Sequence, residues 1–256
     1  MKKNNRASNS KFLEERIKQN EKNQSLDLNK WAFSKIKKSN KKIKILELCC
    51  GTGRQTKFLN DWFPNSEIHA LDISKESLNQ ITKQKFYYSK KIKLINSDLD
   101  SFFISNNEVY DLIFVSYGLY YAKNVDKVIN YVFKSLNTGG DFIVLGPYGE
   151  NNEKLFSLLE KSGQKIDDFV RFSSSDFMTK TLLNRSFGLS SKIVIHTAIN
   201  TIKWTSIIDV IEYWRNSTFY NENYLDQVKS NMMLEFNKSN YFKIEKHIML
   251  LKIKKK

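Results

Sequence analysis

Between residues 43 and 147 short apolar runs alternate with amphipathic stretches, and this alternation restricts the possible folds more than any other feature of the chain. "IKILELCC" is apolar and ends in a glycine turn, the mark of a strand buried on both faces. "GRQTKFLNDWF" follows, with Phe58, Leu59, Trp62 and Phe63 at helical spacing. The pattern repeats in the strand "SEIHALDIS", the helix "KESLNQITKQKFYYS", and the strands "KIKLINSDLDSF" and "YDLIFVSYG". In "VDKVINYVFKSL" the residues Val125, Val128, Ile129, Val132, Phe133 and Leu136 form one apolar helix face. "NTGG" reads as that helix's stop, with a glycine in the left-handed cap, before the strand "DFIVLGP". Strands and helices alternating in this way predict a parallel sheet covered on both faces.

The flanks are less regular. Residues 1–25 are polar, so the first ten or so should fray and the rest form a marginal helix. "SLDLNKWAFSKIKKS" predicts a helix capped by Ser25 or Asp27 and docked through Trp31. Beyond residue 150, "NEKLFSLLEKSG" and "SSDFMTKTLLNRSFG" read as helices, the second capped by Ser174 or Ser175 and closed at Gly188. The strands "SKIVIHTAINTIKW" and "YFKIEKHIMLLKI" enclose two more helices, which suggests an antiparallel edge with a helical insertion at about 204–240. The expected fold is α/β: a doubly wound seven-stranded sheet, mostly parallel, with helices on both faces. The expected division is an N-terminal helical segment, 1–42, and a domain over 43–256.

A net charge of +15 on 256 residues points first to nucleic acid, but its placement argues otherwise. Residues 1–44 hold 14 Lys and Arg against 4 Asp and Glu, residues 252–256 add four lysines, and the body between is nearly neutral. Basic ends read as solvated surface, with a grip on RNA or an anionic membrane as the alternative. The two cysteines are adjacent and pair only through a strained ring, so a reducing compartment is expected. With no signal-peptide core and no apolar run long enough for a transmembrane segment, the cytoplasm is the expected location.

Open α/β sheets bind ligands beyond the carboxyl ends of their strands, where strand order reverses, and "CCGTGRQ" falls at such an end. Gly51 and Gly53 let the backbone approach a ligand, and the N–H groups of the following helix attract a negative group. Asp72 stands 19 residues after Gly53, at a strand end, placed to accept from both hydroxyls of a ribose. A tight turn needs glycine even without a ligand, and a single acid at a strand end is often only exposed surface. Glu47 and Asp98 bring the count at this edge to three acids, which favours a site. A dehydrogenase-type G-x-G-x-x-G would require glycine where Thr56 stands. His69, His196 and His247 stand singly on predicted strands, so no metal is expected.

Taken together, "ILELCCGTGRQT", "HALDIS", "INSDLDSF" and "YDLIFVSYGLYYAKNVDKVINYVFKSLNTGGDFIVLGP" resemble the ordered motifs of class I S-adenosylmethionine-dependent methyltransferases. The resemblance covers residues 43–147, and the strand, helix and strand of 190–254 are similar to that family's antiparallel edge. It implies S-adenosyl-L-methionine as the cofactor. Glu47, Cys49, Gly51 and Gly53 would then line its methionine part, Asp72 with Ile73 beside it would hold the ribose, Asp98 and Leu99 would contact the adenine, and Ser116 and Tyr117 would border the sulfonium. The chain departs from the family pattern at Cys49, where glycine is usual. Strand geometry would give Cys49 a negative φ, which leaves room for a small thiol.

The resemblance implies SN2 transfer of a methyl group to a small-molecule acceptor, lipid-like or a natural product. Tyr120 and Tyr121, after the fourth strand, and His196 are the candidates for orienting or deprotonating it, with packing as the alternative role. Trp204, Tyr213, Trp214, Phe219, Tyr220 and Tyr224 are enough to roof an apolar pocket; alternatively Ile207, Ile208, Val210, Ile211 and Trp214 simply dock the helix on the sheet. An RNA or protein methyltransferase is the competing enzyme, although "VSYG" lacks the Asn/Asp-Pro-Pro-aromatic signature of enzymes that methylate exocyclic amines of bases. A catalytically inactive binding protein of the same fold is the competitor outside enzymes.

Overall fold

The computed structural model describes residues 9–89 and 91–256; most of the stretch expected to fray lies outside them. In chain order the elements are α1 (Ser10–Asn23), α2 (Leu28–Ser34), β1 (Lys44–Leu48), α3 (Arg54–Trp62), β2 (Glu67–Asp72), α4 (Lys75–Ile81), β3 (Ile92–Asn96), α5 (Leu99–Ser105), β4 (Tyr110–Ser116), α6 (Val125–Lys134) and β5 (Leu136–Pro147). They continue with α7 (Glu153–Lys161), α8 (Asp168–Arg171), a wide π-helical run over Phe172–Leu183, α9 (Asn184–Phe187), β6 (Ser190–Trp204), α10 (Ile207–Arg215), α11 (Leu225–Ser239) and β7 (Phe242–Lys255).

Seven strands form one sheet in the order β3-β2-β1-β4-β5-β7-β6. β1 to β5 are parallel, and β1 is central: Ile45 lies beside Ile68 on one side and Leu112 on the other. Ile45, Leu46 and Leu48 are wholly buried, as an apolar run covered on both faces requires. The backbone bonds Tyr148 to His247 and Asn152 to Glu245 run in opposite chain directions, which makes β7 antiparallel. Because the chain goes from β1 outward to β2 and β3, then back across to β4, strand order reverses between β1 and β4.

Two compact units make up the chain. The larger comprises Asn29–Gly146, Phe177–Thr197 and Met249–Lys256; the smaller comprises Met1–Leu28, Pro147–Asp176 and Ala198–Ile248. The division expected at residue 42 follows the chain, whereas these units gather segments far apart in it. In the larger unit, α6 buries Val128, Ile129, Val132 and Phe133, as its spacing predicts. α2 docks through Phe33 rather than Trp31: Phe33 is fully buried and stacks on Phe58 at 5.0 Å.

In the smaller unit, Trp204, Tyr213, Trp214, Phe156 and Phe242 pack into one buried cluster with Leu155, Val210 and Met232. The insertion's tryptophans therefore lie in the unit's own core; of the residues offered for docking, Val210, Ile211 and Trp214 are buried and Ile208 is exposed. α1 joins this unit through Arg16, whose guanidinium donates to the Asn216 carbonyl at 2.7 Å, and through the 3.1 Å Lys22–Asp209 ion pair.

Three further expectations change. "NTGG" does not cap α6, which ends at Lys134; Gly139 (φ +71°) and Gly140 lie within β5, where the register against β4 shifts between Tyr110 and Leu112. The glycines serve a bulge, since a Cβ on Gly140 would meet the Asn137 carbonyl at 2.9 Å. The third strand stops at Asn96, because Asp98 starts α5 by accepting from the Ser101 N–H. Ser174 and Ser175 cap nothing: the helical path begins at Asp168 with Asp167 as its cap, and the buried Ser174 hydroxyl bonds Asn151.

Candidate active site

The strand-to-helix turn after β1 is built from left-handed residues. Cys49, Gly51 and Gly53 have φ of +56°, +54° and +86°. This corrects the expected negative φ of Cys49: β1 has ended at Leu48, so Cys49 takes the conformation of the turn. Gly53 is also forced by packing, because a Cβ there would lie 2.7 Å from Ile81 Cγ1. The Cys50 N–H donates to the Leu71 carbonyl at 2.9 Å, which ties the turn to the end of β2. Gly53 starts α3 without a side-chain cap, so the first N–H groups of that helix depend on backbone, water or a ligand. Burial pushes both thiols well above their usual range, so Cys49 and Cys50 stand protonated in this turn.

Asp72 organises this turn. One carboxylate oxygen accepts from the Gly51 N–H at 2.8 Å and the other from the Ser74 N–H at 2.8 Å. Burial raises its pKa, against the opposing pull of those N–H groups. Each oxygen of the ionised carboxylate keeps a further acceptor position, which suits a pair of vicinal hydroxyls. Ile73 follows with 55% of its surface exposed, a flat apolar face beside that carboxylate. Asn96 at the end of β3 braces the pair, its amide donating to the carbonyls of Asp72 (3.1 Å) and Ile73 (2.9 Å). The residues present therefore fit a nucleoside: hydroxyl acceptors, an apolar platform and a bare backbone turn.

The other two acids do different work. Glu47 is buried and accepts from the Thr56 hydroxyl at 2.6 Å, anchoring the first turn of α3. Desolvation pushes its pKa up to about 8, only partly offset by Thr56, and the Asp72 charge adds to the rise. Glu47 thus stands largely neutral at pH 7. Asp98 caps α5, and its bonds to Ser101 hold its carboxyl below the usual range; Leu99 is buried.

At the end of β4, Ser116 is half-buried and Tyr117 has a left-handed φ of +55°. Its N–H donates to the Leu145 carbonyl at 2.9 Å, and its carbonyl accepts from the Tyr120 hydroxyl at 2.9 Å. The Tyr120 ring lies 4.8 Å from that of Tyr121 and 5.5 Å from that of Phe177, edge to face with the latter. Tyr121 is 46% exposed. His196 sits in mid-strand on the edge strand β6, three places from β4 and so about 14 Å away at ordinary strand spacing. The structure brings Tyr120 and Tyr121 to the tip of β4 and sets His196 apart.

The sequence left four contributors unnoticed. Asn96 and Gly118 look like ordinary turn residues, Phe177 lies far away in the chain, and Thr56 stood out only as a missing glycine. A polar residue ending a strand just before a capping Asp was the available signal for Asn96.

A left-handed glycine turn after β1, an acid at the end of β2 and the strand-order reversal between β1 and β4 meet at one edge of the sheet, an arrangement that suits a nucleoside. Residues 45–140 match the family model of the methyltransferase domain. The chain is similar to malonyl-[acyl-carrier protein] O-methyltransferase 1 of Ilyobacter polytropus, with 30% identity over 155 residues, 59% of this chain and 55% of the relative. The chain spans about half the length of the curated relatives it matches. Among solved structures, a Bacillus halodurans protein assigned as a methyltransferase superposes with TM-score 0.61 at 12% identity, over 89% of this chain and 98% of that one. The plantazolicin methyltransferase BpumL, solved with S-adenosylhomocysteine, superposes with TM-score 0.50 at 13% identity, over 89% and 81%. These likenesses bear on the fold.

Proposed function

We propose that the chain transfers the methyl group of S-adenosylmethionine to a small-molecule acceptor. One observation carries the reading: Asp72, with the exposed Ile73 beside it, faces the left-handed turn at the point where strand order reverses. When bound, the cofactor supplies a methyl group on a positively charged sulfur, open to SN2 displacement by an acceptor lone pair. Asp72 binds ribose hydroxyls, Ile73 covers one face of the adenine, with Asp98 and Leu99 at the neighbouring strand end, and the uncapped start of α3 receives the negative end of the methionine part. Cys49, Gly51, Gly53, Ser116 and Tyr117 flank the path between them.

Tyr120 and Tyr121, backed by the buried Phe177, offer a wall that orients the acceptor and excludes water. Alignment of this kind supplies about 7–11 kcal/mol of such a barrier. The Tyr120 hydroxyl already donates to the Tyr117 carbonyl, which favours an acceptor that is nucleophilic as bound and needs no proton removed. A second reading follows from that preference. A carboxylate is ionised at neutral pH, and the relatives' name describes O-methylation of a malonyl group on a carrier protein, so a carboxylate acceptor fits both facts. The test is incubation with labelled S-adenosylmethionine and a metabolite extract, then with a malonyl-charged carrier protein. Label in a small product supports the first reading, label in the carrier's acyl group supports the second, and no transfer in either refutes both.

A further inference from the structure

We infer that Cys49 and Gly118 form a size-matched interlock that sets the spacing between the glycine turn and the aromatic turn, which makes Gly118 a positioning residue for methyl transfer. The inference rests on the proposed cofactor site. Gly118 has a φ of −141°, so its backbone conformation alone does not call for glycine. Space does: a Cβ on Gly118 would lie 2.4 Å from Cys49 Cβ and 2.6 Å from Cys49 Sγ. The volume that a side chain at position 118 would fill is occupied by the side chain at 49.

Cys49 and the residue before Gly118 sit in tightened backbone. Cys49 and Tyr117, the residue before Gly118, are two of the four non-glycine residues with positive φ among the described residues. L-residues hold such conformations only where their surroundings fix them. Here the fixing bonds are Cys50 to Leu71, Gly51 to Asp72, Tyr117 to Leu145, and the Tyr120 hydroxyl to the Tyr117 carbonyl. The interlock thus joins a turn held by the cofactor-side acid to a turn bearing Tyr120 and Tyr121. A change of size at either position shifts one turn against the other.

The Cβ–Cβ clash is the tighter of the two, which makes the test selective. Gly118→Ala should weaken S-adenosylhomocysteine binding, measured by calorimetry on the full chain, by about tenfold or more. Adding Cys49→Gly should restore affinity to within about threefold of the unaltered chain, because it removes the Cβ in the way. Adding Cys49→Ala instead, which keeps that Cβ, should not restore it. Thermal midpoints identify variants that fail to fold. If Gly118→Ala alone does not fold, recovery of folding and binding in the double variant with Cys49→Gly supports the interlock, and failure of that double variant overturns it. Unchanged affinity in a folded Gly118→Ala variant overturns it as well. If the unaltered chain binds no S-adenosylhomocysteine, the cofactor reading itself fails and the inference falls with it, an outcome distinct from the others.

Discussion

Glu47→Gln should make the protein more stable at neutral pH although it removes a native carboxyl group. The amide keeps the shape and keeps an acceptor for the Thr56 hydroxyl, 2.6 Å away in the native site. What it removes is a proton linkage. Burial raises the Glu47 pKa from its ordinary 4.5 to about 8, so the folded state holds a proton that the unfolded chain releases. Stability from this group is complete below pH 4.5 and declines by about 1.4 kcal/mol per unit as pH rises toward the folded value. The deficit reaches about 3 kcal/mol at pH 7 and levels off above pH 8 near 5 kcal/mol. Urea unfolding of both proteins at intervals from pH 4 to pH 9 measures the difference, because titrations away from Glu47 and its neighbour Asp72 are common to the pair. The two should agree in stability near pH 4, with the Gln variant ahead by a growing margin up to pH 8. A difference that stays constant over this range would refute the assignment of a neutral, buried Glu47.

Other expectations follow from the site and from the smaller unit. Asp72→Ala should weaken S-adenosylhomocysteine binding by about a hundredfold or more, since bonds from two hydroxyls to a carboxylate contribute about 1.5–3 kcal/mol each; unchanged calorimetric affinity in the folded variant would reject the ribose role. Tyr120→Phe should lower stability by about 1 kcal/mol through loss of the bond to Tyr117, while methyl transfer stays within about tenfold, whereas a general base would lose far more. Trp214→Ala should cost about 3–5 kcal/mol in denaturant unfolding. Trp214→Phe should cost less than half of that, because the buried Trp214 indole N–H has no hydrogen-bond partner and leaves with the ring.

The parallel half of the sheet was legible because its signal is local. An apolar run buried on both faces, as in Ile45–Leu48, and a helix face such as that of α6 express period and composition within a dozen residues. The acid ending β2 was equally legible, since its separation from the glycine turn is a distance along the chain. What depended on partners elsewhere was not. Phe33 displaced Trp31 as the docking residue because Phe58 and Phe114 were there to receive it. The glycines of "NTGG" went to a bulge because the register against β4 slips at that point. Cys49 turned left-handed against a space that only Gly118, 69 positions away, leaves open. Membership of the two units was hidden for the same reason, because Trp204 and Trp214 join a core with Leu155 and Phe156 from before β6.

Calorimetric titration of the full chain with S-adenosylmethionine, and with S-adenosylhomocysteine as the non-reactive control, tests the account most directly. The account predicts saturable binding of both at one site per chain, weakened by about a hundredfold or more by Asp72→Ala in a protein that still unfolds cooperatively. Absence of binding by the folded, unaltered chain, or binding indifferent to Asp72, would contradict it.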